Sequence, residues 1–328
     1  MRIGIVGAGA IGGFVGVPLA RTGHDVSVLA RGATLHALRT GSWSVERNGT
    51  CVDAKVQASD DANELGEQDV IVVAVKGPAL LGAARALGPM IGPDTIVVPA
   101  MNGVPWWFLL DGGGSLPHLP LKSVDPEGAI ARAIPLRHVV GCVVHASAYV
   151  SAPGRVTLQA GNTLILGEPC GGTSVRLCAI AKLFTDAGLD IVQSENVRRD
   201  IWYKLWGNMT MNPISAMVRA TSDKILADDL VRAFMLRVMA EAGEIGRHIG
   251  CEINESGEAR MEVARKLGAF KTSMLQDAEA GRLLEIDSIV AAPREIARLL
   301  GLETPDLDTL LGLARLYARS LTKDLAAG

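Results

Sequence analysis

A short apolar run that ends in glycines at fixed spacing constrains this chain more than any other feature. Residues 2–6 (RIGIV) are rich in β-branched side chains and stop at Gly7, which reads as a buried strand. Gly7-Ala8-Gly9-Ala10-Ile11-Gly12 follows at once. In such a loop Gly7 permits the tight turn, Gly9 lets backbone approach a pyrophosphate, and Gly12 allows helix and strand to pack closely. Residues 14–22 read as a helix that Gly23 can stop, with Pro18 arguing against a straight one. A helix N-terminus reached this way offers unpaired N–H groups and a positive dipole end to phosphate. The residues from Gly7 to Gly12, with Ala8, Ala10 and Ile11 between the glycines, are therefore a candidate dinucleotide cradle. Two other readings compete. The loop can be a glycine-rich turn that binds nothing. The run also superficially resembles a leader peptide, although no cleavage site ends it.

The alternation continues. Residues 25–29 (DVSVL), 69–75 (DVIVVAV) and 95–99 (TIVVP) read as strands, and 79–87 as a helix. Near-continuous apolar strands suit a parallel sheet covered on both faces, and the repeat predicts a doubly wound, Rossmann-type sheet. Residues 139–150, 155–159 and 163–166 are closely spaced strands, with Pro153-Gly154 and Gly161-Asn162 as turns. They predict an antiparallel meander appended to the sheet, followed by a helix at 175–187 and a strand at 190–193. Beyond Val197 only helical periodicity remains, over 198–211, 228–249, 258–267, 284–300 and 307–320. The expected class is α/β: a nucleotide-binding domain over 1–195 and an all-α substrate and catalytic domain over 196–328. A length of 328 residues fits two domains of about 150 each.

Composition excludes several classes. Net charge is −3, without the basic excess of a nucleic-acid binder. No run of about 18 apolar residues predicts a membrane span. Five cysteines, an odd number with no CxxC, argue against a disulfide framework and suit small buried side chains in a reducing cytoplasm. Six histidines show no metal-ligand spacing, so no metal is expected. Oligomeric state stays open, a homodimer included.

Two sets of polar residues suggest chemistry. No Asp or Glu stands between Asp25 and Glu46 to bind the ribose hydroxyl of NAD. Arg31, after the second strand, is instead placed to pair with the 2′-phosphate of NADP, the alternative being a solvated arginine. Farther on, Lys204, Asn208 and Asn212 are spaced four residues apart and so share one helix face. Their neighbours Trp202, Leu205, Trp206, Met209 and Met211 are large and apolar. An ammonium and two amides in such company need partners or a wet cleft. Either they are a proton donor with two substrate-binding amides, or they form a solvated face. Pro213 should end or kink the helix there. Glu285 sits in the first turn of an expected helix, which the helix dipole alone can explain. Asp277 and Asp287 read as caps or surface charges. Residues 111–128 are loop-like and rich in Gly and Pro.

These blocks together resemble the ketopantoate reductase (2-dehydropantoate 2-reductase) family over nearly the whole chain. Besides GxGxxG, the resemblance rests on VKG with Lys76, MNGV with Asn102, KLxxNxxxNP with Lys204, Asn208, Asn212 and Pro213, SMLQD with Ser273, and EID with Glu285. It implies reduction of a 2-oxo acid, 2-dehydropantoate above all, to a 2-hydroxy acid by NADPH, as in pantothenate biosynthesis. Lys204 would be the general acid. Asn208 and Asn212 would bind substrate, Ser273 its carboxylate and Glu285 its hydroxyl. Lys76 and Asn102 would stand at strand ends beside nicotinamide and substrate. Two positions depart from the family pattern: Phe270, where some members carry an amide, and Ser222, where asparagine is frequent. The segment from Pro105, Trp106, Trp107 and Phe108 through Gly128 reads as an insertion, either a lid or a plain surface loop. A reductase of another 2-oxo or 3-hydroxy acid and a non-catalytic NADPH sensor are the competing functions.

Overall fold

The computed structural model describes residues 1–328 except 112, 113, 115, 117, 267 and 328, and side chains only as far as residue 321. The chain divides into two compact units: Met1–Met101 with Gly128–Arg198, and Asn102–Glu127 with Arg199–Gly328.

In the first unit the strands are β1 (Arg2–Val6), β2 (Asp25–Leu29), β3 (Trp43–Arg47), β4 (Thr50–Ala54), β5 (Gln57–Ser59), β6 (Gln68–Val73), β7 (Ile91–Pro99), β8 (Gly141–Ala152), β9 (Arg155–Gly167) and β10 (Asp190–Gln193). Its helices are α1 (Ala10–Arg21), α2 (Gly32–Thr40), α3 (Ala62–Leu65), α4 (Gly77–Ala86), α5 (Ala129–Ala133) and α6 (Val175–Asp186). One sheet is parallel throughout, in the order β5-β2-β1-β6-β7. Strand order reverses between β1 and β6, so the loop after β1 opens at a topological switch point, where such sheets bind ligands.

The second sheet, β10-β9-β3-β4 with β8 on β9, is mixed. β8 and β9 are antiparallel, as expected, but β3 and β10 each run parallel to β9. The expected turn at Gly161-Asn162 does not exist. β9 continues through it, and Gly161 (φ +74°) takes up a register shift opposite His145 and Ala146. A bulge of the glycine type uses the same left-handed residue as a turn, so local sequence does not separate the two. The β3–β4 hairpin was not among the expected strands. Its turn is Asn48-Gly49, with φ of 50° and 77°, a pair favoured where both central residues need positive φ.

Helix α1 packs on both sheets and is buried on nearly every side, which accounts for its unbroken apolar sequence. Two further glycines make the approach possible. A Cβ on Gly13 would lie 2.5 Å from Val156, and one on Gly16 2.4 Å from the Trp43 ring. Thr22 caps the helix and Gly23 follows in the left-handed region, as the sequence predicted.

The second unit is helical: α7 (Val197–Val218, its first two residues in the first unit), α8 (Ser222–Ala227), α9 (Asp229–His248), α10 (Gly257–Arg265), α11 (Ser273–Glu279), α12 (Ala292–Leu299) and α13 (Pro305–Ala327). Of the helix expected over 258–267, Leu267 lies outside the described residues. α7 runs on through Pro213, so that proline does not end it. Packing holds the helix instead: the Trp202 and Trp206 indoles donate to Ala242 and Met239 carbonyls of α9, at 3.1 and 2.7 Å. The helix expected over 284–300 is divided, with a π turn at Asp287–Ala291 ahead of α12.

Residues 106–109 of the segment read as an insertion form neither lid nor surface loop. Trp106 and Trp107 are 1% exposed, and Phe108 and Leu109 are fully buried. Phe108 stacks on Trp202 of α7, ring centroids 6.1 Å apart. Burial of about 150–250 Å² per aromatic ring makes this stretch part of the helical unit's core. Gly112, Gly113, Ser115 and Pro117 of the same stretch lie outside the described residues. Among the cysteines, Cys142 and Cys251 are buried as expected, but Cys51, Cys170 and Cys178 are exposed.

Candidate active site

The first unit presents its candidate residues at the carboxyl ends of parallel strands. Gly7 has φ +96°, and a Cβ there would lie 2.8 Å from Val75 and 3.0 Å from the Ala74 carbonyl. A Cβ on Gly12 would fall 1.9 Å from the Gly7 carbonyl oxygen. Both glycines are thus required by the protein's own packing. Gly9 differs: a Cβ there would meet nothing within 4 Å. Gly9 caps α1 without any side chain, and no acidic residue stands in the first turn. The helix end is open to an anion, with room for one where the protein leaves Gly9 uncovered. Arg31, exposed, is the N-cap of α2 after β2. Lys76, also exposed, is the N-cap of α4 after β6. Gly7 itself donates its N–H to Leu29 of β2 at 3.0 Å, tying the loop to the strand that precedes Arg31.

The second unit brings the other candidates onto a few elements. Lys204, Asn208 and Asn212 lie on α7, Lys204 and Asn208 part-buried and Asn212 only 6% exposed. The Lys204 ammonium donates to Asn102 Oδ1 at 2.8 Å. Of the two readings of this stripe, that contact favours an ammonium held in place over a solvated face. Glu285 is 6% exposed and stands just before the π turn, its carbonyl accepting the Ile289 N–H at 3.2 Å. Ser273 opens α11, where Thr272 is the cap, accepting the Leu275 N–H at 3.1 Å. Ser273 shares no hydrogen bond with the Lys204 group among the described residues.

Two sequence readings need correction here. Asp277 is neither cap nor surface charge: it is 2% exposed and pairs with Arg282 Nε at 2.8 Å. The two departures from the family pattern meet each other. Ser222 Oγ donates to the Gly268 carbonyl at 2.8 Å and accepts the Phe270 N–H at 3.1 Å. Sequence reasoning missed Ser288, whose carbonyl oxygen accepts the Val104 N–H at 2.8 Å and so fixes the turn that carries Asn102. Its only trace in the sequence is Pro293, five residues on.

A parallel sheet with this glycine loop, joined in one chain to a helical unit that holds a fixed lysine, defines a Rossmann-type, dinucleotide-dependent oxidoreductase. Residues 3–170 match the ketopantoate reductase PanE/ApbA family, and 196–318 match its C-terminal part. The chain belongs to the ketopantoate reductase PanE/ApbA family. It is similar to the 2-dehydropantoate 2-reductase of Mesorhizobium japonicum, at 41% identity over 97% of this chain and 98% of that one. A provisionally named ketopantoate reductase from Ralstonia solanacearum MolK2 is 56% identical over 98% of both chains, with a TM-score of 0.94. A solved D-mandelate dehydrogenase with NADH and anilino(oxo)acetate shares the fold at 22% identity, covering 98% of this chain and 99% of that one, with a TM-score of 0.82.

Proposed function

We propose that the protein reduces 2-dehydropantoate to pantoate with NADPH, the first unit holding the dinucleotide and the second the 2-oxo acid. The observation that carries this reading is the Lys204 ammonium held by Asn102 Oδ1 at 2.8 Å. The open face at Gly9 supports the dinucleotide half. There the N–H groups at the start of α1 receive the pyrophosphate, Arg31 the 2′-phosphate, and Lys76 contributes at the end of β6. When bound, NADPH supplies the hydride. As a ketone is reduced, negative charge builds on its oxygen, and a preorganised ammonium stabilises that charge. Lys204 Nζ then gives that oxygen its proton. Asn208 and Asn212 hydrogen-bond the acid, Ser273 takes its carboxylate, and the Glu285 carboxylate accepts from its hydroxyl. The Trp106–Trp107 stretch, buried in the helical core, gives no reason to assign a bulkier substrate.

No helix among the described residues is long and apolar enough to cross a membrane. We place the enzyme in the cytoplasm, whose reducing conditions suit three exposed thiols. The test follows NADPH absorbance with 2-dehydropantoate and a panel of 2-oxo acids, in wild type and Lys204→Ala. Oxidation by 2-dehydropantoate is expected, with kcat lower by roughly 10²–10⁴ in the variant and NADPH affinity unchanged. A Lys204→Ala enzyme within a few-fold of wild type removes the general-acid role. Oxidation with no acid in the panel leaves a nucleotide sensor.

A further inference from the structure

Asn102 is one anchor of the Lys204 ammonium, because Asn102 Oδ1 accepts from Lys204 Nζ at 2.8 Å. Asn102 is followed by Gly103, with φ +80°. A Cβ on Gly103 would lie 2.6 Å from both Cβ and Oγ of Ser288, and 2.7 Å from the Ser288 carbonyl carbon. The next residue, Val104, donates its N–H to the Ser288 carbonyl oxygen at 2.8 Å. The Asn102–Gly103–Val104 turn is therefore pressed against Ser288 at backbone distance. The far part of the same segment is held too, as Glu295 of α12 accepts the N–H groups of Lys122 and Ser123 at 2.8 and 2.7 Å.

A helical carbonyl is normally occupied by a donor from its own helix. Ser288 lies in the π turn, where an N–H reaches back five residues, and the Ala292 N–H does so to Asp287. The next donor in that register, the one aimed at the Ser288 carbonyl, would be residue 293. Residue 293 is proline and has no N–H. The carbonyl is left for Val104. Glu285 leads directly into this turn.

We propose that Pro293 and Gly103 are positioning residues for Lys204: the proline removes the competing donor, and the glycine permits the close approach. This rests on the general-acid role proposed for Lys204. Asn102 Oδ1 favours the charged ammonium, so a displaced Asn102 lowers the lysine's pKa. A group that acts protonated then loses activity at lower pH, and the alkaline limb of kcat moves down.

The test compares wild type, Pro293→Ala and Gly103→Ala. Lys204 is titrated by NMR on side-chain-labelled lysine, and kcat for 2-dehydropantoate is measured across pH together with NADPH affinity. We expect Lys204 to titrate at lower pH in both variants, and kcat to fall about 3–10-fold in Pro293→Ala, the worth of one hydrogen bond. The fall is larger in Gly103→Ala, and NADPH affinity is unchanged in both. Should Gly103→Ala not fold, Pro293→Ala decides, since it exchanges only a ring in a first helical turn. Wild-type titration and an unmoved alkaline limb in Pro293→Ala overturn the proposal. A lowered Lys204 titration in a protein that reduces no 2-oxo acid upholds the docking and refutes the function instead.

Discussion

Replacing Gly9 by alanine separates what the glycine loop does for the protein from what it does for a ligand. The Gly9 backbone, φ −78° and ψ −162°, lies in an extended region that alanine adopts without strain. The new methyl would meet no protein atom within 4 Å. Two small terms then oppose each other. Alanine narrows the unfolded ensemble, worth about 0.4–1 kcal/mol, and is a poorer N-cap than glycine by about the same amount. Net stability should stay within about 1 kcal/mol, so Tm should move by no more than about 4 °C. The methyl does project into the space assigned to the pyrophosphate. Loss of one charge-assisted hydrogen bond there costs about 1.5–3 kcal/mol, or roughly 10–100-fold in NADPH affinity. Calorimetric unfolding and NADPH titration by fluorescence read the two quantities on one sample. Gly12→Ala is the contrast. Its methyl would lie 1.9 Å from the Gly7 carbonyl oxygen, so stability falls by about 1–3 kcal/mol. Full NADPH affinity in Gly9→Ala, or a Tm drop comparable with that of Gly12→Ala, refutes the assignment.

Other outcomes follow from the same geometry. Arg31→Ala should weaken NADPH by roughly tenfold or more while leaving NADH nearly unaffected, measured by paired titrations; equal losses would take Arg31 away from the 2′-phosphate. Burial raises the Glu168 carboxyl, but hydrogen bonds from Arg176 and Ser174 outweigh it and hold the group below its ordinary 4.5. Its contribution to stability is therefore present above that value and is lost as pH falls through the folded one. Glu168→Gln, which leaves Arg176 without its 2.5 Å partner, should cost about 1–3 kcal/mol at neutral pH. The gap to wild type should close below about pH 4.5 in denaturant titrations; a gap independent of pH would argue against the ion pair.

Parts of the fold that depend on neighbours in sequence were readable, and parts that depend on remote pairing were not. β1, β2 and β10 have the limits expected from their apolar runs. Of the three glycines of the loop, Gly7 and Gly12 are crowded by the protein's own atoms and Gly9 is open. The β3–β4 hairpin carries a local signal in Asn48-Gly49 that the sequence reading passed over, and its parallel pairing with β9 joins residues more than a hundred positions apart and leaves no local mark. Gly161 could be recognised as left-handed but not as a bulge. Pro213 was read from propensity alone, and the anchorage of Trp202 and Trp206 on α9 prevailed over it. Around the lysine, helical spacing revealed the shared face of Lys204, Asn208 and Asn212. The contact to Asn102 spans about a hundred residues, and the role of Ser288 depends on a π register that apolar periodicity does not signal.

The interleaving of the two units has a consequence for synthesis. The stretch Asn102–Glu127 is made in the middle of the first unit, yet its companions begin only at Arg199. The ribosome adds about 5–20 residues per second, and units tend to fold in order of emergence. For several seconds a nascent chain would therefore carry Trp106, Trp107 and Phe108 in water, looped out from a nucleotide-binding body that is still acquiring β9 and β10. In that interval the three rings are open to non-native association until the helices after Arg199 emerge to cover them.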